Sequence, residues 1–375
     1  MADWFGKEVF KLGFGLMRLP KLEDGKTIDV DQVSKMVDMF IEAGGTYFDT
    51  AYVYDDGRSE EATKLALVDR YPREKYTLCT KLNAWHGAHD EESAKKQFYT
   101  SLERTGAGYF DYYLLHALMD DNAHLYDDYH LWDYVADLKE KGLIKYFGFS
   151  FHGSPKLLDK LLTDHPEVDF IQLQINYADW EDEKVAAREC WEIARKHDKS
   201  ITVMEPVKGG ALANTIPEVK EIFEKANKNL SPAGWAIRYA ASLDGILTVL
   251  SGMSNVEQME DNLSFMRDFK PLNEDEQKVI KEVVKVLDSV ETIKCTACHY
   301  CTEGCPSQIP IPEIFSARNR ELMFNAKESA KMDYARVTEG KGKASDCIQC
   351  GQCENACPQH LPIISLLQEI SGIME

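Results

Sequence analysis

The sequence predicts an α/β protein: a (β/α)8 TIM barrel over residues 1–290, then a small, mainly helical domain over residues 291–375. Three observations carry this. Strand-like and helix-like stretches alternate through the first part of the chain, giving eight strand candidates over about 250 residues, the size and rhythm of such a barrel. No GxGxxG follows an early strand, which disfavours the rival doubly wound sheet. The last stretch carries a cysteine run twice.

The elements follow in order. The opening Glu8 to Met17 holds two short strand-like pieces with glycines, and the region of Phe14 supplies the first strand. Asp31 is placed to cap a helix whose apolar residues Val33, Met36, Val37 and Phe40 recur at helical spacing, and Gly44-Gly45 ends it. The remaining strand candidates are Thr46 to Asp49, Tyr76 to Lys81, Asp111 to His116, Ile144 to Ser150, Phe170 to Gln174, Ile201 to Glu205 and Ile246 to Leu250. In this fold the chemistry sits at the C-terminal ends of the strands. Asp49, Lys81 and His116 each close an otherwise apolar strand there, and Tyr54 falls in the loop beyond Asp49. If Lys81 points into the barrel then Cys79 does too, because side chains alternate with a period of two. Cys190 shares a helical face with Ala186, Ile193 and Ala194 and reads as core.

Composition narrows the function classes. Of 375 residues 44% are hydrophobic and 28% charged, ordinary for a soluble globular protein. A net charge of -20 disfavours nucleic acid and anionic lipid as partners. No apolar run approaches a membrane span, and Met1 to Lys7 lacks the order of a signal peptide, so the expected place is the cytoplasm.

The cysteines carry the strongest signal. Cys295, Cys298, Cys301 and Cys305-Pro306 are repeated, each 52 positions later, by Cys347, Cys350, Cys353 and Cys357-Pro358. The flanks repeat as well: Ile309-Pro310-Ile311-Pro312 is echoed by Leu361-Pro362-Ile363-Ile364. Three thiolates at this spacing, with a fourth before proline, form the run that holds a four-iron four-sulfur centre. In two-cluster proteins the fourth cysteine serves the other cluster. That assigns Cys295, Cys298, Cys301 and Cys357 to one [4Fe-4S] centre, and Cys347, Cys350, Cys353 and Cys305 to the other. Zinc sites usually pair two CxxC knuckles instead, and a disulfide framework belongs to small exported proteins.

The barrel motifs carry a resemblance. Asp49-Thr50-Ala51-x-x-Tyr54, Lys81, Leu114-Leu115-His116, Gly148-Phe149-Ser150, Gln172 followed by Asn176, and Gly252-Met253-Ser254 leading to Asn262 resemble the aldo-keto reductase family, in the family's order over residues 5–290. The tail resembles the two-cluster ferredoxin modules found beside flavin and quinone oxidoreductases. The resemblance implies reduction of a small-molecule carbonyl by NAD(P)H, with Asp49, Tyr54, Lys81 and His116 catalytic and Tyr54 the proton donor. It implies that Ser150 and Gln172 hold the nicotinamide amide, while Gly209 and Gly252 sit in loops that cradle phosphates. Three positions depart from the family: Phe151 follows Ser150 where asparagine is usual, Met204 stands where a tyrosine commonly stacks, and the stretch containing Ser254 and Gln258 has no basic residue for a 2′-phosphate.

The residue types suit this chemistry. A free tyrosine has a pKa of about 10, and a nearby ammonium favours its phenolate and lowers that value. Lys81 supplies the charge, Asp49 its counter-ion, and His116 a donor to the substrate oxygen. Nicotinamides pass two electrons at once and each cluster passes one, so two other readings stay open. One is a reductase with FMN or another flavin, fed by the clusters and acting on a carbonyl or activated double bond. The other is an electron carrier or redox sensor whose barrel is not catalytic. A redox partner protein at the cluster domain is compatible with each.

Overall fold

A computed structural model of the chain describes residues 9–375; Glu8 and the Met1 to Lys7 stretch lie outside the described residues. The chain divides into two compact units. The first runs to Val207 and takes in Ala233–Gln277; the second comprises Lys208–Pro232 and Lys278–Glu375.

In the first unit, eight parallel strands close into a barrel in sequence order. They are β1 (Leu12–Gly15), β2 (Tyr47–Asp49), β3 (Thr77–Leu82), β4 (Phe110–Leu118), β5 (Ile144–Phe151), β6 (Phe170–Gln174), β7 (Ser200–Met204) and β8 (Ile246–Ser251). β8 pairs with β1 at Leu12↔Val249 and Phe14↔Ser251, which closes the cylinder. Alternation along each strand sorts the side chains. Tyr47, Cys79, Tyr112, Leu114, Phe170 and Leu250 meet in an interior cluster, whereas Phe48, Leu78, Tyr113 and Leu115 join the large core outside the barrel wall. Asp49, Lys81 and His116 each lie two residues beyond an interior residue, so the pleat aims them at the barrel mouth.

Three local expectations change. The opening contributes one strand followed by a 3-10 turn, Leu16–Arg18, among the described residues, in place of two strand-like pieces. The first helix, Val30–Glu42, is capped by Asp29, whose side chain accepts the Gln32 N–H, and Asp31 lies inside the first turn. β4 runs on past His116 to Leu118, with a register break between Leu115 and Leu118 and a left-handed Ala117. Cys190 is buried in the core.

In the second unit the sequence repeat becomes a repeat of backbone. Helices Ile311–Phe324 and Ile363–Met374 start 52 residues apart, each after a proline of nearly identical dihedrals, φ -79°, ψ 70° at Pro310 and φ -77°, ψ 71° at Pro362. Left-handed residues recur at the same offset: Ala297 and Gln349, His299 and Gly351, Gln308 and His360. The helix Lys327–Thr338 occupies the spacer between the two runs. Ile311, Phe315, Ile363, Leu367 and Ile370 form the core, with Cys301 and Cys353 at its edge. Among the described residues, no helix is long and apolar enough to cross a membrane.

Candidate active site and cluster cavities

At the mouth of the barrel the structure brings together the four residues named from sequence. Lys81 Nζ donates to Asp49 Oδ1 at 2.5 Å and to the Thr50 carbonyl at 2.7 Å, and it lies 4.7 Å from the centre of the Tyr54 ring. The Tyr54 and His116 rings meet edge to face, 5.7 Å between centroids. The Lys81 and Asp49 side chains are both buried. A buried ion pair persists only with close geometry and further hydrogen bonds, which the Thr50 carbonyl supplies.

The electrostatics of the four are coupled. Burial works against the charge on Lys81, but Asp49, with help from Tyr54, more than offsets it, and the ammonium holds its proton more tightly than a free lysine. Burial raises the Asp49 carboxyl, with Lys81 pulling the other way. Tyr54 departs from expectation. Lys81 does favour its phenolate, yet burial outweighs that pull and the hydroxyl ends above the ordinary tyrosine range. His116 is held well below the usual histidine value by burial, by Lys81 and by His152, so its ring is neutral. Cys79, beneath the pair, is pushed up by burial and by Asp49 and stays a thiol.

The residues expected to hold a cofactor occupy several parts of the mouth. Ser150 Oγ accepts the Ala117 N–H at 2.7 Å. Gln172 donates its amide to the Met204 sulfur at 3.5 Å, and its Oε1 is a buried acceptor with no hydrogen-bond partner among the described residues. His116 Nδ1 is likewise buried and unpartnered. Buried polar groups are normally satisfied, so the Gln172 acceptor fits a ligand N–H such as that of a carboxamide. Beyond β8, Asn255 caps the helix Val256–Met266, and Gln258 Oε1 accepts the Ser254 N–H at 2.8 Å. These bonds cap the helix that follows Gly252 and take up the Ser254 and Gln258 N–H groups. Asn262 instead gives its amide to Ser251 Oγ at 2.7 Å. Gly209, left-handed at φ 63°, falls in the second unit.

One residue escaped the sequence reading. Arg18 follows β1, its Cδ lies 3.7 Å from where a Cβ on Gly252 would stand, and its guanidinium is 4.0 Å from Glu205. Residues 252–262 hold no cation, but the loop after the first strand opens on the same mouth. A basic residue just beyond Gly15 was the available signal.

In the second unit the eight cysteines line two cavities. Cys295, Cys298, Cys301 and Cys357 line one of them, walled by Ile311, Phe315 and Ile363. Cys305, Cys347, Cys350 and Cys353 line the other, walled by Ile309, Ile311 and Leu367. Each cavity thus takes three sulfurs from one run and the fourth from the other, the grouping read from sequence. Among the described residues, no three metal-binding side chains converge on a single-ion position. The sulfurs stand around a volume, which suits a cubane. The Ala297 N–H points at Cys295 Sγ, 3.5 Å away. Burial and the neighbouring Cys295 sulfur push the Cys301 thiol up to about 11. Gathering four thiolates in so apolar a place needs compensating positive charge, which iron would provide.

Comparison with known proteins matches two segments of the chain. Residues 294–361 match the 4Fe-4S dicluster domain. An uncharacterized oxidoreductase of Bacillus subtilis (strain 168), YqkF, is 25% identical over 312 residues, 74% of this chain and 94% of that protein. Among solved structures, an aldo/keto reductase from Brucella melitensis is 26% identical with a TM-score of 0.57, covering 73% of this chain and 94% of its own. An aldo/keto reductase from Klebsiella pneumoniae, solved with NADP and acetate, shares the fold at 20% identity with a TM-score of 0.60, over 74% and 92% of the two chains. The model of the aldo/keto reductase family itself matches residues 11–285, so the chain belongs to that family of oxidoreductases and carries a dicluster domain after it in sequence.

Proposed function

We propose that the barrel reduces the carbonyl of a small molecule, with Tyr54 delivering the proton. The observation that carries this is the buried Lys81–Asp49 pair set against the Tyr54 ring, with the neutral His116 beside it. A nicotinamide cofactor, as in the NADP-bound Klebsiella protein, supplies a hydride when bound. Gln172 Oε1 supports this choice, as an acceptor for a carboxamide N–H, and Arg18 adds a cation beside the Gly252 turn.

The protein's own part is proton delivery and charge stabilisation. Tyr54 keeps its proton until an oxygen in front of it gathers negative charge, because burial disfavours the isolated phenolate. As the proton leaves, the Lys81 ammonium is in place to stabilise the phenolate, and Asp49 holds that ammonium charged. His116, neutral, donates a hydrogen bond to the same oxygen without competing for the proton. A general acid so placed contributes roughly 10²–10⁴ in rate.

We take the domain boundary to lie near residue 290, between the two matched segments. The two cysteine cavities would hold [4Fe-4S] clusters, which supply one-electron chemistry when bound. Cys298 and Cys350, equivalent in the two runs, are the exposed members of their sets, so a redox partner protein would meet the clusters on that side. Iron-sulfur chemistry also favours the cytoplasm.

The test is Tyr54→Phe, assayed anaerobically by NADPH oxidation with aliphatic and aromatic aldehydes, with iron and flavin analysis on the same preparation. Turnover is expected to fall by about 10²–10⁴ while iron content is unchanged. Full turnover in Tyr54→Phe would refute the proton-donor assignment, and stoichiometric flavin would refute direct nicotinamide chemistry.

A further inference from the structure

We infer that Glu60 and Arg104 form a positioning pair that ties the turn bearing Tyr54 to the strand bearing Lys81. The inference rests on the reading of Tyr54 as proton donor. Tyr54 is followed by three residues with left-handed backbones, Asp55 at φ 52°, Asp56 at φ 56° and Gly57 at φ 88°. Two of them carry side chains that disfavour this conformation, so the turn keeps its shape only where its surroundings over-determine it.

Arg104, at the end of the helix Glu91–Thr105, does this from one side. Its Nη1 donates to the Tyr52 carbonyl at 2.9 Å, and its guanidinium lies 4.6 Å from the centre of the Tyr52 ring. A Cβ at residue 57 would stand 2.4 Å from the guanidinium carbon, so the glycine there admits the arginine as well as the backbone. Glu60 fixes Arg104 in turn. Its side chain is fully buried, and Oε2 accepts from Arg104 Nη1 at 3.2 Å. The other oxygen, Oε1, accepts the Thr80 hydroxyl at 2.7 Å, and Thr80 directly precedes Lys81. One buried carboxylate therefore links the strand that carries the ammonium to the loop that carries the phenol. From the far side Asp55 is gripped by Lys21 and by Arg58.

A buried ion pair is seldom the most stabilising choice, since well-packed apolar residues often do as well. What this one provides is a fixed spacing between two groups that must act together. Arg238–Glu276 in the same unit is a suitable control: it is also mostly buried, with nitrogen and oxygen 2.7 Å apart, and its arginine bonds the Lys270 carbonyl rather than any residue of the site.

The test compares Arg104→Met, Arg104→Lys, the double variant Glu60→Gln/Arg104→Met and the control Arg238→Met, using NADPH and an aromatic aldehyde. The double variant leaves no unpaired buried charge, so it remains informative if Arg104→Met fails to fold. In the double variant kcat is expected to fall about 10- to 100-fold, with the KM for NADPH unchanged. Arg104→Lys recovers part of that loss. The ring-carbon NMR signal of 13C-labelled Tyr54, identified by its disappearance in Tyr54→Phe, shifts in the double variant and stays in place in Arg238→Met. A folded double variant with wild-type kcat and an unmoved Tyr54 signal overturns the inference. If Tyr54→Phe is inactive in that case, the proton-donor reading survives; if Tyr54→Phe turns over normally, that reading fails by itself.

Discussion

The two units build their sites by opposite routes. In the barrel, Asp49, Lys81 and His116 come from three strands and lie more than 30 positions apart in sequence, and register alone brings them together. In the second unit each cavity takes three ligands from seven consecutive residues, and the backbone itself bends round them through left-handed residues such as Ala297 and His299. The barrel site is completed by its own ion pair, Lys81 with Asp49. The cysteine cavities gather four sulfurs each between apolar walls. A site made by register should survive without its ligand; a site made by ligation should not.

Removing the iron gives the largest test of that difference. After anaerobic chelation the second unit is expected to lose the slow amide exchange of Ile311–Phe324 and Ile363–Met374, because metal-ligand free energy is folding free energy in small sites. Strands β1 to β8 should keep theirs. Persistent protection of both helices would show that the Ile311, Phe315 and Leu367 core is sufficient without metal.

A smaller effect is expected from breaking the barrel's own pair. Lys81→Met strands a buried carboxylate, which costs about 3–5 kcal/mol. The same change removes the group that lowers the Tyr54 pKa. Its phenol then becomes a still weaker acid, and turnover drops by roughly 10²–10⁴. Lys81→Met/Asp49→Asn should regain much of the stability in urea melts without regaining turnover.

The smallest effect lies in the cysteine loops. Ala297→Gly relieves a left-handed alanine at φ 52° and should stabilise the iron-loaded protein by up to about 1 kcal/mol. Its counterpart Gln349→Gly, at φ 57°, should match it. Thermal melts under argon would measure both, and unequal shifts would show that the backbone repeat is not an energetic one.

What could be read in advance follows the same division. Strand order, the meeting of Asp49, Tyr54, Lys81 and His116 and the grouping of cysteines are legible because each is written as a motif with fixed spacing. Other features depend on contacts the linear order does not display. Asp29 and Asp31 are equally good capping residues by type, and only the backbone turn at Val30 decides between them. The break after His116 is set by pairing with β5, where Ala117 bonds Ser150. Arg18 meets Gly252 across nearly the whole barrel sequence. The Tyr54 acidity was misjudged because a neighbouring charge can be guessed from a motif, whereas the depth of burial that outweighs it cannot.

The 52-residue repeat has one more consequence. Its two cavities share ligand type, wall chemistry and backbone path, so iron centres held in them would accept an electron at similar potentials. Two wells of similar depth fill one after the other and together store an electron pair.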